Sequence, residues 1–345
     1  MKDTDGILAL LQDIKNMLGG NGCILTACFL ALLGWWPLGI LFAVILDSSF
    51  LFAHGLRMKL VINLIPQQIR STLMPFETHE QNQLIWLSSP LLSGITHAFS
   101  TRKGGVSAAP WDSLNLGLDR GDAPAAVQEN HRRFFHAIGG DPGRAVLSKQ
   151  VHETTVRLCT ASDAGKGLIY ERDYTADALI TNEPDLPLTV FSADCGVILL
   201  YDPIHKAIGA VHAGWRGCAA GILEKTVRSM NEFFGSRPEE ILAAIGPCIG
   251  SCCFETDSDV ADAMVSALGE ELTAPFLERR GCKWHVDLAG LNRLWLLRAG
   301  LLPNRIDVCG LCTACHPEWF WSHRKMGNAR GLQVATIMLP KEAHI

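Results

Sequence analysis

Three short segments of the sequence carry side chains that bind metals or act as nucleophiles. They read KQVH at residues 149–152, SADCG at 192–196 and AVHAGWRG at 210–217. Each is expected to place such a side chain at the end of a β-strand, where a rigid scaffold meets an open loop. His152, Cys195 and His212 together would form a His₂Cys set, which suits Zn²⁺ and leaves a fourth position for water. Water bound there would have its pKa lowered towards ~7, giving hydroxide near neutral pH. The spacing alone is weak evidence, because 17 residues separate Cys195 from His212 and 43 separate His152 from Cys195.

The elements that must position these residues are predicted from hydrophobic periodicity. Runs rich in Val, Ile and Thr predict β-strands at 95–101, 146–152, 178–181, 188–193, 197–201, 207–212, 241–245 and 334–339. Helical spacing predicts helices at 125–138, 217–234, 255–268 and 288–299. Because several strands follow each other with hairpin-length gaps, we expect an α+β fold with a mixed sheet. Neither GxGxxG nor GxxxxGK[ST] occurs, so the nucleotide-binding Rossmann and P-loop interpretations lack their signatures.

Other polar side chains are candidates for binding an anion or moving a proton. Arg216 lies near the expected start of a helix, where backbone N–H groups attract anions. Arg102 and Lys103 lie in a glycine-rich loop, RKGG, that could approach an anion closely. The alternatives are a solvated hairpin turn for the loop and a surface salt bridge for Arg216. His323 is a candidate acid, and Asp194, if it lies in a strand, would orient a ligand histidine from another element.

Composition limits the class of protein. The 345 residues are 48% hydrophobic with a net charge of −5, which excludes disorder over the whole chain. A pI near 6.2 argues against a broad basic surface for nucleic acid. Twelve cysteines without regular spacing suit a reducing compartment. Two groups of them, at 309, 312 and 315 and at 248, 252 and 253, could bind zinc or an iron–sulfur cluster, but we favour reduced structural thiols.

The N-terminal region differs from the rest of the chain. Residues 23–46 form an apolar run of 24 residues, and about 20 suffice to cross a bilayer. The excess of Lys and Arg after this run would keep the remainder in the cytoplasm. The alternative is that translation starts at Met58 or Met74. We expect residues 1–70 to be an extension with a candidate membrane tether at 23–46, and residues 80–345 to be one catalytic domain.

Seven motifs occur in the order typical of the YfiH family, which is also called the laccase-domain, multicopper polyphenol oxidase or PgeF (peptidoglycan editing factor) family. They are STRKGGVS, the Asn115-Leu116-Gly117 stretch, KQVH, ADC, HAGWRG, IGPCIG and FWSHRK. The resemblance covers roughly residues 80–340. It implies a mixed β-sandwich with flanking helices, related to cytotoxic necrotizing factor-type cysteine hydrolases. It also implies one Zn²⁺, with Cu²⁺ as the alternative, on His152, Cys195 and His212.

The activity that this resemblance implies is phosphorolysis of adenosine, inosine and methylthioadenosine, together with deamination of adenosine. Purine nucleosides and phosphate would then be the binding partners, contacted by Arg102, Lys103, Asn115 and Arg216. The catalytic candidates are Cys195, His212 and His323. A multicopper oxidase would need histidines in HxH pairs, and the sequence has none. Two alternatives are a cysteine hydrolase acting on peptidoglycan precursors, with Cys195 as nucleophile and His212 as base, and a non-enzymatic membrane-tethered scaffold.

Overall fold

Two six-stranded mixed sheets pack face to face in the computed structural model, which describes residues 76–341. The strands are β1 Glu77–Gln81, β2 Leu84–Ser88, β3 Thr96–Ser100, β4 Val146–Leu147, β5 Val156–Leu158, β6 Ala178–Thr181, β7 Leu188–Ser192, β8 Gly196–Asp202, β9 Ala207–Ala213, β10 Leu242–Ile245, β11 Glu255–Thr256, β12 Leu277–Arg280, β13 Lys283–Val286, β14 Ile306–Val308 and β15 Gln333–Met338. The first sheet has the order β1-β2-β3-β15-β7-β4 and the second β14-β10-β8-β9-β6-β5. Strands β11, β13 and β12 form a small third sheet.

The sheets are mixed, as the sequence predicts. Most neighbours are antiparallel, but β4 pairs parallel with β7, β5 with β6 and β10 with β14. This confirms the α+β class, whereas the relation to cysteine hydrolases stays a prediction. The helices are α1 Pro124–Ala137, α2 Trp215–Ala219, α3 Ile222–Phe234, α4 Ser258–Leu268, α5 Glu270–Thr273, α6 Leu288–Arg298 and α7 His323–Met326.

Strand β8 shows why the sheets pack in this way. Its residues alternate between two apolar clusters, because successive side chains of a strand point to opposite faces. Val197 and Leu199 pack between the two sheets, and Ile198 and Leu200 pack under the helices of the second sheet. A strand covered on both faces reads as a continuous apolar run, which is why GVILLYD was recognisable in the sequence.

Three predicted elements differ from the structure by more than one residue at an end. The expected helix 217–234 is interrupted at Gly221, which has φ +73° and separates α2 from α3. The expected strand 146–152 ends at Leu147, so the KQVH segment lies in a loop. The expected helix 255–268 begins only at Ser258, because Glu255 and Thr256 pair with β13. The candidate tether at 23–46 lies outside the described residues, and within 76–341 no helix is long and apolar enough to cross a membrane.

His131 on α1 makes the stability of this fold depend on pH. The side chain is completely buried, its Nε2 lies 2.8 Å from the Leu116 carbonyl oxygen, and burial lowers its pKa to about 4. The unfolded chain takes up a proton near pH 6.5, whereas the folded chain does so only near pH 4. The contribution of His131 to the free energy of unfolding is therefore fully present above pH 6.5, and it is lost as the pH falls from 6.5 to 4.

We expect His131→Gln to remove this pH dependence. The wild type should lose about 3 kcal/mol of unfolding free energy from this group between pH 6.5 and pH 4. Glutamine can still donate to Leu116 but does not titrate. Urea denaturation at several pH values measures the effect, and His136→Gln, an exposed position on the same helix, is the matched control. Parallel pH profiles of wild type and His131→Gln would contradict the assignment.

Candidate metal centre

Three separate elements bring His152, Cys195 and His212 together. His212 is the last but one residue of β9, and Cys195 lies in the turn where the chain passes from β7 in the first sheet to β8 in the second. His152 lies in the loop that follows β4. One ligand atom from each of the three lies within 4.8 Å of the other two, and Cys195 Sγ is 3.9 Å from His152 Nε2. The residues that the sequence motifs single out therefore share one site.

A buried carboxylate, Asp177, holds the loop that carries His152. It accepts hydrogen bonds of 3.0 Å from the backbone amides of Val151, His152 and Glu153. His152 has φ +63°, a conformation that costs a residue with a side chain about 1–3 kcal/mol unless its surroundings fix it. The three amide bonds supply that fixation, so His152 is held in position before any ligand binds.

Asp177 also orients the second histidine. Its Oδ1 lies 2.7 Å from His212 Nδ1, and both side chains are buried. If Nδ1 donates to Asp177, Nε2 is left as the atom that can bind a metal or accept a proton. Sequence reasoning missed Asp177, because only the tertiary fold brings it next to a histidine 35 residues away.

The expectation that Asp194 orients a ligand histidine was wrong. Asp194 lies in the turn before β8, not in a strand, and has φ +89°. Its carboxylate accepts from Thr313 Oγ1 at 2.6 Å and from the Arg324 amide at 2.7 Å. Asp194 thus ties the turn that carries Cys195 to two other loops, while Asp177 holds the histidines.

Cys195 and His212 each stabilise the charged form of the other. Burial would raise the pKa of the Cys195 thiol, but the positive charge of His212 and a hydrogen bond from His152 lower it below its ordinary value. Burial would lower the pKa of His212, but the charge of Cys195 and the bond to Asp177 raise it. The pair therefore favours a thiolate, which is the form of cysteine that binds metals and attacks electrophiles.

The donor set and its spacing fit a metal ion. In a tetrahedral zinc site, ligand nitrogen and sulfur atoms lie about 3.6 Å apart, close to the 3.9 Å between His152 Nε2 and Cys195 Sγ. Gly214 leaves room beside them, since a Cβ at this position would lie 2.9 Å from Cys195 Sγ. Two imidazoles and one thiolate also suit copper, so the donor set indicates a metal without deciding between the two.

Two predicted substrate contacts have other partners in the structure. The Arg102 guanidinium donates to the carbonyl oxygens of Asp112 and Pro317 and lies 3.9 Å above the Trp321 ring. Asn115 is fully buried, and its Oδ1 accepts from the amides of Gly117 and Leu332. Both side chains hold loops together, and their contact with substrate stays a prediction.

The remaining predicted residues lie on short or exposed segments. Lys103 is half-buried in the Arg102 loop, and Arg216 is exposed and stacks 4.2 Å above Trp215. Because α2 has only five residues, Arg216 does not lie at the start of the long helix that was expected to attract an anion. His323 is exposed at the first position of α7, next to the Arg324 amide that binds Asp194. Their roles towards substrate stay predictions.

Arg330, which no motif indicated, interacts electrostatically with Cys195, Asp194 and Arg120. Burial and the positive charge of Arg120 lower the pKa of Arg330, while the negative charges of Asp194 and Cys195 oppose this shift. The buried Nε atoms of Arg120 and Arg330 have no hydrogen-bond partner among the described residues. Arg120 also lines a cleft of about 490 Å³ together with Lys149 and Arg172. Two guanidinium groups that interact electrostatically are well suited to an oxyanion such as phosphate.

Comparisons with known proteins agree with the motifs. A family model described as multi-copper polyphenol oxidoreductase laccase matches residues 96–340. Purine nucleoside phosphorylase YlmD of Bacillus subtilis is 36% identical over 254 residues, which cover 72% of this chain and 90% of the relative. Purine nucleoside phosphorylase YfiH of Shigella flexneri is 38% identical over 244 residues, covering 71% and 94%. The crystal structure of YlmD from Geobacillus stearothermophilus is 34% identical, with a TM-score of 0.72 and coverage of 77% and 100%.

Proposed function

The chain belongs to the YfiH family, described as multi-copper polyphenol oxidoreductase laccase, and from this premise we propose that it is a zinc-dependent purine nucleoside phosphorylase. The observation that carries the proposal is the convergence of His152, Cys195 and His212 on one site. The names of the relatives supply the reaction class. Adenosine, inosine and methylthioadenosine are the proposed substrates, and deamination of adenosine is the proposed second reaction.

In the proposed phosphorolysis, a phosphate oxygen attacks C1′ of the ribose and the bond from C1′ to the purine breaks. The products are ribose 1-phosphate and the free base, which takes up one proton. Arg330 and Arg120 would hold the phosphate, since two interacting guanidinium groups suit an oxyanion. His323, at the exposed start of α7, is the proposed proton donor to the base.

Metal binding is assigned to His152, Cys195 and His212. A bound Zn²⁺ would supply Lewis-acid chemistry, polarising a substrate oxygen or activating water. Asp177 keeps the His212 ring in one orientation and, through three backbone amides, keeps His152 beside Cys195. The buried carboxylate of Asp177 therefore forms hydrogen bonds with both segments that carry a histidine of the site.

A cysteine hydrolase is the second candidate, because Cys195, His212 and Asp177 also form a nucleophile–base–carboxylate arrangement. A zinc-bound thiolate is a poor free nucleophile, so metal-loaded protein separates the two functions. Labelling of Cys195 by an electrophilic substrate analogue in metal-loaded protein would favour the hydrolase. Protection of Cys195 until a chelator is added would favour the phosphorylase.

The direct test is incubation of the purified, metal-loaded full chain with inosine and phosphate. Hypoxanthine and ribose 1-phosphate should appear together, and only when phosphate is present. Adenosine without phosphate should yield inosine and ammonia if the deaminase activity is real. If the metal-loaded protein converts neither inosine nor adenosine, the proposal is wrong.

Arg330→Met is expected to raise the KM for phosphate about tenfold or more, because a hydrogen bond to a charged group is worth about 1.5–3 kcal/mol. The KM for the nucleoside should change little. Initial rates over a range of phosphate concentrations measure this, and Arg228→Met, an exposed arginine on α3, is the control. An unchanged KM for phosphate in Arg330→Met would remove Arg330 from the proposed phosphate site.

A further inference from the structure

A group of four thiols lies outside the site described above. Its members, called the four-cysteine cluster, are Cys252, Cys253, Cys312 and Cys315. Each sulfur lies within 4.8 Å of every other, and Cys315 Sγ is 3.4 Å from both Cys252 Sγ and Cys253 Sγ. The cysteines of the described residues are free thiols, so no disulfide joins them.

The backbone brings these thiols together from two distant segments. One segment follows β10 and the other follows β14, and these strands are parallel neighbours, so both loops leave the sheet at the same edge. The loops are then joined, because the Thr313 amide donates to the Cys248 carbonyl oxygen at 3.1 Å. The Gly250 amide donates to Cys312 Sγ at 3.2 Å, a bond that stabilises negative charge on sulfur.

Gly250 allows the close approach of the two loops. A Cβ at this position would lie 3.3 Å from Cys252 Sγ and 3.3 Å from Cys312 Cβ. Both distances are shorter than most Cβ contacts in proteins. The thiols of the cluster therefore pack against Gly250, where a side chain would not fit without moving them. Of its four members, Cys312 is buried, whereas Cys252 and Cys315 are exposed.

We propose that the four-cysteine cluster binds one Zn²⁺ through four thiolates. Sulfur atoms in a tetrahedral zinc–thiolate site lie about 3.8 Å apart, within the range seen here. Cys312 and Cys315 have the C-x₂-C spacing typical of structural zinc sites. The sequence alone favoured reduced structural thiols, because it did not show that these four converge while Cys248 and Cys309 stay outside the cluster.

A zinc ion in the four-cysteine cluster would also stabilise the turn between β7 and β8, which carries Cys195. The loop that carries Cys252 donates its Ile249 amide to the Asp194 carbonyl oxygen at 2.8 Å. The loop that carries Cys312 donates Thr313 Oγ1 to the Asp194 carboxylate at 2.6 Å. Since Asp194 precedes Cys195, a metal that fixes both loops fixes the turn between β7 and β8 as well.

Alkylation of the full chain with iodoacetamide, mapped by peptide mass spectrometry, tests the proposal. Cys252 and Cys315 should resist modification until a zinc chelator is added. Cys282, which is exposed and lies outside the cluster, should react in both states and is the internal control. Immediate modification of Cys252 and Cys315 would show free thiols, and protection lifted only by a reductant would show a disulfide. Either result overturns the proposal.

Elemental analysis of variants provides the second measurement. Cys252→Ser/Cys315→Ser should bind one zinc ion fewer per chain than the wild type, whereas Cys309→Ser should bind the same number. His152→Ala/His212→Ala should keep the zinc of the four-cysteine cluster, which separates this proposal from the proposed function. An unchanged zinc content in Cys252→Ser/Cys315→Ser, or iron in place of zinc at the cluster, would overturn the proposal.

Discussion

Cys195→Ala is expected to lose phosphorolysis down to the buffer background and to lose one metal ion per chain. Cys195 supplies the only sulfur of the His152, Cys195 and His212 set, and a metal held by two imidazoles alone is bound far more weakly. Because Cys195 is only half-buried, removing its sulfur leaves no large cavity, and the fold should persist. Activity assays, elemental analysis and circular dichroism together measure these effects.

Two further variants test whether the effect of Cys195→Ala comes from the loss of a metal ligand. Cys309→Ala, a half-buried cysteine outside both thiol-containing sites, should keep its activity and its metal content. Cys195→Asp replaces one zinc ligand by another and should recover part of the metal and part of the activity if Cys195 acts as a ligand. No recovery in a variant that does bind metal would point to the thiol as a nucleophile. Full activity of Cys195→Ala would place the reaction elsewhere on the chain.

The sequence predicted best those elements whose side chains are buried on both faces. Strand β6 was predicted with its observed bounds, Ala178–Thr181, because the short run ALIT lies between Asp177 and Asn182, which are typical of strand boundaries. The KQVH segment was wrongly predicted as part of a strand. Its residues have strand-like neighbours, but the Asp177 carboxylate binds three of the amides around His152 and turns the chain away from the sheet.

The residues of the candidate site that could be predicted are those whose side-chain type alone indicates metal binding. Cysteine and histidine are common metal ligands, so His152, Cys195 and His212 could be named without a structure. Asp177 and Arg330 could not, because an aspartate before a strand or an arginine near the C-terminus has no local signal. The hydrogen bonds of Asp177 and the electrostatic interactions of Arg330 join residues far apart in the sequence, and both depend on the packing of the two sheets.

The space beside Cys195 and His152 depends on one glycine. Gly214 is the N-cap residue of α2 and has φ −62°, a conformation that alanine also adopts without strain. A Cβ at this position would lie 2.9 Å from Cys195 Sγ and 3.4 Å from His152 Cδ2. In Gly214→Ala the thiol must therefore move by several tenths of an ångström or rotate away from the histidines, while the backbone stays as it is.

We expect Gly214→Ala to lower phosphorolysis by about ten- to a hundredfold and to reduce metal content, since misplacing a catalytic group by about 1 Å costs about a hundredfold. Thermal stability should change little. Gly209→Ala is the control, because Gly209 lies on β9, the strand that ends just before Gly214, and its Cβ would meet only ordinary contacts of 3.5 Å. Equal loss in both variants would mean that any added methyl group in this region disturbs the site. Full activity in Gly214→Ala would show that the reaction does not need the geometry of Cys195 beside His152.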